Sequence, residues 1–121
     1  MVDAPARETD RAFHILTLGC SKNRVDSDGM DHLLRSRGMV ATGNPEDAHV
    51  VIVNTCGFLG AARDESVSVI TEMLDRRQDG QIVIAAGCMP ALGSYAHDIP
   101  AGVDHILTTR EWHRIGAVVG D

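Results

Sequence analysis

The feature that most constrains this chain is a set of short, continuously apolar runs, each closed by a turn residue. Residues 50–53 read Val-Val-Ile-Val and residues 82–86 read Ile-Val-Ile-Ala-Ala, with no polar interruption. Runs of that length are short for a helix and match strands covered on both faces. Residues 13–18 form a third, β-prone run bounded by Gly19, with His14 better suited to an edge or exposed face than to a metal. Between the runs lie longer stretches with helical spacing. Residues 24–37 carry Val25, Met30, Leu33 and Leu34 along approximately one face. Ser21 or Asn23 is placed to cap this helix, Asp26 and Asp28 to sit in its first turn, and Gly38 to end it. Gly29 weakens its interior. Residues 58–77 carry Val67, Ile70 and Leu74 at i, i+3 and i+7, with Met73 alongside and Asp79-Gly80 as the stop. Residues 39–41 and 103–107 read as further short strands. Pro90 opens a short helix reaching about Tyr95, and residues 111–119 close the chain as a helix with Trp112, Ile115 and Val119 on one side.

Strands that alternate with helices imply right-handed crossovers and a mostly parallel sheet. The expected fold is α/β: a single flavodoxin-like, three-layer domain with a mostly parallel five-stranded sheet in the order 2-1-3-4-5. A length of 121 residues suits one domain with a real core. Aromatic residues make up only 3%, so that core is aliphatic. Residues 1–11 mix both charges without periodicity and read as a flexible leader, leaving 12–121 as the domain.

Charge and hydropathy exclude some classes of function. The net charge is −6, Lys22 is the single lysine, and the arginines are scattered apart from Arg76-Arg77. Strong nucleic-acid binding needs clustered cations, so none is expected of this domain. No apolar run has the length of a membrane span and no signal peptide opens the chain, which gives a cytoplasmic location as the default. In that compartment three cysteines do not make a disulfide framework.

Those three cysteines are the focus of the chain. Cys20, Cys56 and Cys88 each follow an apolar run, and each has a glycine directly beside it: Gly19, Gly57 and Gly87. They are 36 and 32 residues apart. In the expected strand order the first, third and fourth strands are neighbours, spaced about 4.8 Å. Thiols just past those ends fall within roughly 10 Å of one another, at the sheet edge where doubly wound folds bind ligands. A neighbouring glycine lets the backbone approach a bulky inorganic group, and a helix start favours thiolate over thiol. Three thiolates without a fourth point away from a structural zinc and toward an open site such as a three-cysteine 4Fe-4S cluster. Packing is the other reading, since free cysteine is among the most buried residue types. Asn23 and Asn54 flank cysteines and, with Gly57, either orient loops around a bound group or serve the turns themselves. His32, His49, His97, His105 and His113 have no metal-ligand spacing with each other. Asp26, Asp28, Asp64 and Glu65 suit helix dipoles better than acid–base catalysis.

At these residues the sequence resembles a known family. The stretch Thr17-Leu18-Gly19-Cys20-Ser21-Lys22-Asn23-Arg24-Val25-Asp26-Ser27-Asp28 resembles the opening motif of the methylthiotransferase N-terminal domain. Asn54-Thr55-Cys56-Gly57-Phe58 resembles its second motif and Gly87-Cys88-Met89 its third. The Lys22-Asn23 pair, Val25-Asp26-Ser27 and Cys56-Gly57-Phe58 are similar to the RimO type, which methylthiolates an aspartate of a small-subunit ribosomal protein. The resemblance implies that Cys20, Cys56 and Cys88 ligate an auxiliary 4Fe-4S cluster whose open iron carries the sulfur to be transferred. It also implies S-adenosylmethionine and a second 4Fe-4S cluster in a radical domain. The Cys-x3-Cys-x2-Cys motif of that domain is not in this chain, and neither is the family's C-terminal domain. The chain is therefore expected to be an N-terminal domain with no catalytic residue of its own, inactive alone and working with the radical domain in cis. Ser21 stands where proline is usual, and residues 90–95 depart from the family's polar, arginine-bearing pattern.

Two other readings differ from this one. A tRNA-adenosine methylthiotransferase domain shares the motif plan, and a non-enzymatic α/β interaction domain would use its cysteines only for packing. A flavodoxin-like small-molecule binder fits the fold, but no Gly-x-Gly-x-x-Gly or P-loop is present.

Overall fold

A computed structural model describes residues 12–18, 21–55, 60–87, 100–108 and 112–119. Five strands form one sheet: β1 (Ala12–Thr17), β2 (Val40–Ala41), β3 (Val50–Thr55), β4 (Ile82–Gly87) and β5 (His105–Thr108). Their order is β2-β1-β3-β4-β5 and every pair is parallel, which is the expected α/β, flavodoxin-like arrangement. Helices α1 (Ser21–Ser36) and α2 (Gly60–Asp75) are long; α3 (Ile115–Val118) is a single turn preceded by a 3-10 turn at Trp112–Arg114. A second 3-10 turn spans Pro45–Asp47 and is capped by Asn44, whose side chain accepts from Glu46 N–H. The helix expected at residues 90–95 lies outside the described residues.

The apolar runs form strands because both faces of the sheet are covered. All six residues of β3 are buried, and its side chains alternate between two cores. On one face Val50 and Ile52 join Phe13, Ile84, Ala86 and Leu107 under Met30 and Leu34 of α1 and Ile115 of α3. On the other, Val51 and Val53 join Val83 and Ala85 under Ile70 and Met73 of α2. His14 is partly buried, and its Nδ1 lies 2.8 Å from the Thr42 carbonyl oxygen, anchoring the short edge strand β2.

The helices differ from expectation in informative ways. α1 starts at Ser21, three residues before the predicted start, so Asp26 and Asp28 fall in its second turn rather than its first. Val25, expected on the inner face, is 66% exposed. The inner face continues back from Leu34 and Met30 to Ser27 and Asp26, which are both buried. Gly29 has a packing reason: a Cβ there would stand 2.5 Å from the Trp112 ring, so the missing side chain seats the tryptophan against the core. At the other end Gly38, with φ +90°, donates to the Arg35 carbonyl while Met39 N–H donates to Leu34. That is a Schellman termination built on a left-handed glycine. α2 stops at Asp75, before Arg76 and Arg77, and Asp64, Glu65, Glu72 and Asp75 form its solvent face. The closing helix is one α-turn rather than residues 111–119: its first residues tighten into the 3-10 turn, and Gly116 within it favours helix weakly.

Candidate functional site

Each cysteine-bearing segment leaves the sheet from its carboxyl edge. β1 is in register with β3 through Thr17↔Asn54, and Leu18 N–H donates to the Asn54 carbonyl at 2.9 Å, carrying the ladder one residue further. β3 is in register with β4 through Asn54↔Ala86 and Thr55↔Gly87. The three ends are therefore side by side: Cys56 follows Thr55 directly, Cys88 follows Gly87, and Cys20 comes two residues after Leu18. Cys20, Cys56, Cys88 and Gly57 themselves lie outside the described residues, as does the side chain of Asn23.

Asn54 is described in full and is not a turn residue. It is the fifth residue of β3, wholly buried, on the sheet face covered by α1. Its Nδ2 donates to Ser27 Oγ at 2.9 Å, and Ser27 Oγ shares a 2.7 Å hydrogen bond with Thr17 Oγ1. One hydroxyl of α1 thereby joins the ends of β1 and β3. On its other side Asn54 meets β4. Gly87 has φ +100°, and a Cβ built there would overlap Asn54 Oδ1 and lie 2.5 Å and 2.8 Å from the carbonyl oxygen and nitrogen of Thr55. Only glycine fits that position, because both its backbone conformation and its surroundings exclude a side chain. Thr55, on the α2 face, donates its hydroxyl to the Ala86 carbonyl at 2.7 Å and ties the ends of β3 and β4 a second time.

Ser27 was missed as a site residue by sequence reasoning. It lies three residues before Met30 and seven before Leu34, which puts it on the buried face of α1. The helical period alone could have found it, but Val25 drew the apolar face toward the wrong side. Asp26, expected to serve the helix dipole, is buried beside it instead. Among the described residues no three His, Cys, Asp or Glu side chains converge on a metal-binding group. His97 lies outside them. Among the described residues no helix is long and apolar enough to cross a membrane.

The opposite edge of the sheet is built from different chemistry. Gln81 Nε2 donates to the carbonyls of Pro45 and Ala48 at 2.7 and 2.8 Å, holding the entry to β3 against the entry to β4. Asp104 accepts from Val83 N–H at 2.8 Å and pairs with Arg77. Arg76 pairs with Glu46 at 2.9 Å and Glu72 at 3.2 Å. Hydrogen bonding to Glu46, then to Glu72, raises its pKa above the usual arginine value, so this exposed guanidinium stays charged.

Comparison with known proteins adds a family. The profile described as "Uncharacterized protein family UPF0004" matches residues 12–107. A Roseiflexus sp. (strain RS-1) protein named "Ribosomal protein uS12 methylthiotransferase RimO" is 50% identical over 107 residues, 88% of this chain and 23% of that protein. Proteins of the same name from Chloroflexus aurantiacus and Myxococcus xanthus are 49% and 39% identical, over 89% of this chain in each case and 24% and 23% of their own lengths. The chain thus spans about a quarter of the length of the curated relatives it matches.

Proposed function

The chain belongs to the UPF0004 family, the N-terminal domain of methylthiotransferases, and resembles the RimO type; from that membership we propose that it is an auxiliary-cluster domain in which Cys20, Cys56 and Cys88 hold a 4Fe-4S cluster. The observation that carries this reading is the register of β1, β3 and β4, which brings the three segments leading into the cysteines to one edge of the sheet. The donor set suits the group. Three soft thiolates match iron–sulfur chemistry, and no fourth cysteine exists in the chain to close the site. When bound, such a cluster would supply an open iron able to carry a sulfur atom.

This chain's own contribution is to present the thiolates and hold their spacing. In sequence Cys20 directly precedes α1 and Cys56 stands four residues before Gly60 of α2; a helix start favours the thiolate through its dipole. The radical step, its S-adenosylmethionine and its own 4Fe-4S cluster are assigned to the remaining three-quarters of a protein of the relatives' length. The relatives' names point to ribosomal protein uS12 as the substrate of that whole protein; an aspartate as the modified residue and the cytoplasm as the place are part of the proposal. The same names favour this substrate over a tRNA adenosine.

The test is anaerobic reconstitution of the 121-residue chain with iron and sulfide. The expected product is brown and oxygen-sensitive, with about four irons per chain. Replacing Cys20, Cys56 and Cys88 together by serine abolishes it. Stoichiometric iron in the triple variant would overturn the assignment.

A further inference from the structure

We propose that Asn54 and Ser27 form a positioning pair that fixes the three cysteine-bearing strand ends relative to one another. The inference rests on the ligation reading above and concerns what holds the ligands in place rather than what they bind.

Asn54 meets every element that matters here. It belongs to β3, one residue before Thr55 and two before Cys56. Its amide nitrogen reaches Ser27 in α1, the helix that begins directly after Cys20. Through Ser27 it is connected to Thr17 at the end of β1. Its amide oxygen occupies the space beside Gly87 where any other residue would place a Cβ, immediately before Cys88. One buried side chain thus bridges the exits of β1, β3 and β4 and the helix that carries the chain away from Cys20.

The chemistry of the pair explains why it is polar. An apolar residue of the same volume at position 54 would fill the space equally well on a face otherwise made of Val50, Ile52, Ile84 and Ala86. A hydrophobic contact is non-directional and tolerates a slide of α1 over the sheet. The 2.9 Å and 2.7 Å hydrogen bonds do not, because they weaken steeply with misalignment. The position of α1 along β1 and β3 sets where the segment after Leu18 can go. Metal sites depend on such supporting hydrogen bonds, whose loss lowers metal affinity about 10- to 100-fold while the ligands themselves remain.

The test uses cobalt(II) as the probe, titrated anaerobically into the 121-residue chain and read by the sulfur-to-cobalt charge-transfer band. The wild-type chain should bind with that band. Asn54→Ala and Ser27→Ala should bind about 10- to 100-fold more weakly. Ser27→Thr, which keeps the hydroxyl, should restore the wild-type value. Circular-dichroism melts run alongside, with Gly80→Ala as a destabilised control at the far edge of the sheet; it should keep full cobalt affinity. Equal affinity in wild type, Asn54→Ala and Ser27→Ala overturns the positioning role and leaves ligation standing. Weakening in Gly80→Ala to the same degree also overturns it, since the effect then follows stability alone. A wild-type chain with no charge-transfer band overturns ligation, and this inference with it.

Discussion

The two ends of β4 are each marked by a glycine with positive φ, and the two positions have opposite surroundings. Gly80, at the entry, has φ +79°, and a Cβ there would meet nothing within 4 Å. Gly87, at the exit, has φ +100° and is walled in by Asn54 and the Thr55 backbone. The contrast extends to their neighbourhoods. The entry edge is held by Gln81, Asp104, Arg77 and Arg76, several of them solvent-exposed and joined by ion pairs. The exit edge is held by neutral hydrogen bonds among Thr17, Ser27, Asn54 and Thr55, the last three buried. One edge needs only to stay closed. The other ties the ends of β1, β3 and β4 together by hydrogen bonds, and in sequence the cysteines follow those ends.

Alanine at the two glycines tests that contrast most strongly. At Gly87 left-handed strain and overlap act together, so Gly87→Ala should destabilise the chain by about 3 kcal/mol or more in urea unfolding. Gly80→Ala carries the backbone term alone and should cost about 1 kcal/mol. A Gly87→Ala chain no less stable than Gly80→Ala would break the distinction between the edges.

The next effect in size belongs to the buried pair. Asn54→Ala removes a fully buried hydrogen-bonding group and strands its partner, for an expected loss of about 2 kcal/mol; Ser27→Ala follows at about 1–2 kcal/mol. Chemical denaturation of the two single variants and the double variant gives the coupling between them, and a strictly additive pair would contradict the shared hydrogen bond. At the entry edge Asp104→Ala loses the Val83 N–H bond and a half-exposed ion pair, for about 1 kcal/mol. The smallest change is expected from Glu46→Gln, whose partner Arg76 is exposed. It should leave the melting temperature nearly unmoved, and any difference should vanish in high salt.

The sheet was legible in the sequence because its signal is repeated. Continuous apolar runs at residues 50–53 and 82–86 admit few readings, and alternation with helices then sets parallel pairing and strand order. The candidate site was legible only where it is marked by residue type. Asn54 stood out because it lies two residues before Cys56, yet whether it served a turn or a bound group needed its partners. Ser27 carries no chemical mark; its role comes from the turn of a helix that starts three residues earlier than its charges suggest. Gly29 read as a weakness because its compensation, the Trp112 ring, comes from 83 residues further along the chain. Local propensity holds no information about such a contact.

On the proposed function, Cys20, Cys56 and Cys88 act as one ligand set at the exit edge. Alkylation with a small reagent, read by mass spectrometry at each cysteine before and after anaerobic reconstitution, tests it most directly. All three thiols should react in the apo chain, and all three should become protected together in the reconstituted one. Three thiols that react slowly in both states, or a single cysteine whose labelling ignores the iron, would contradict it.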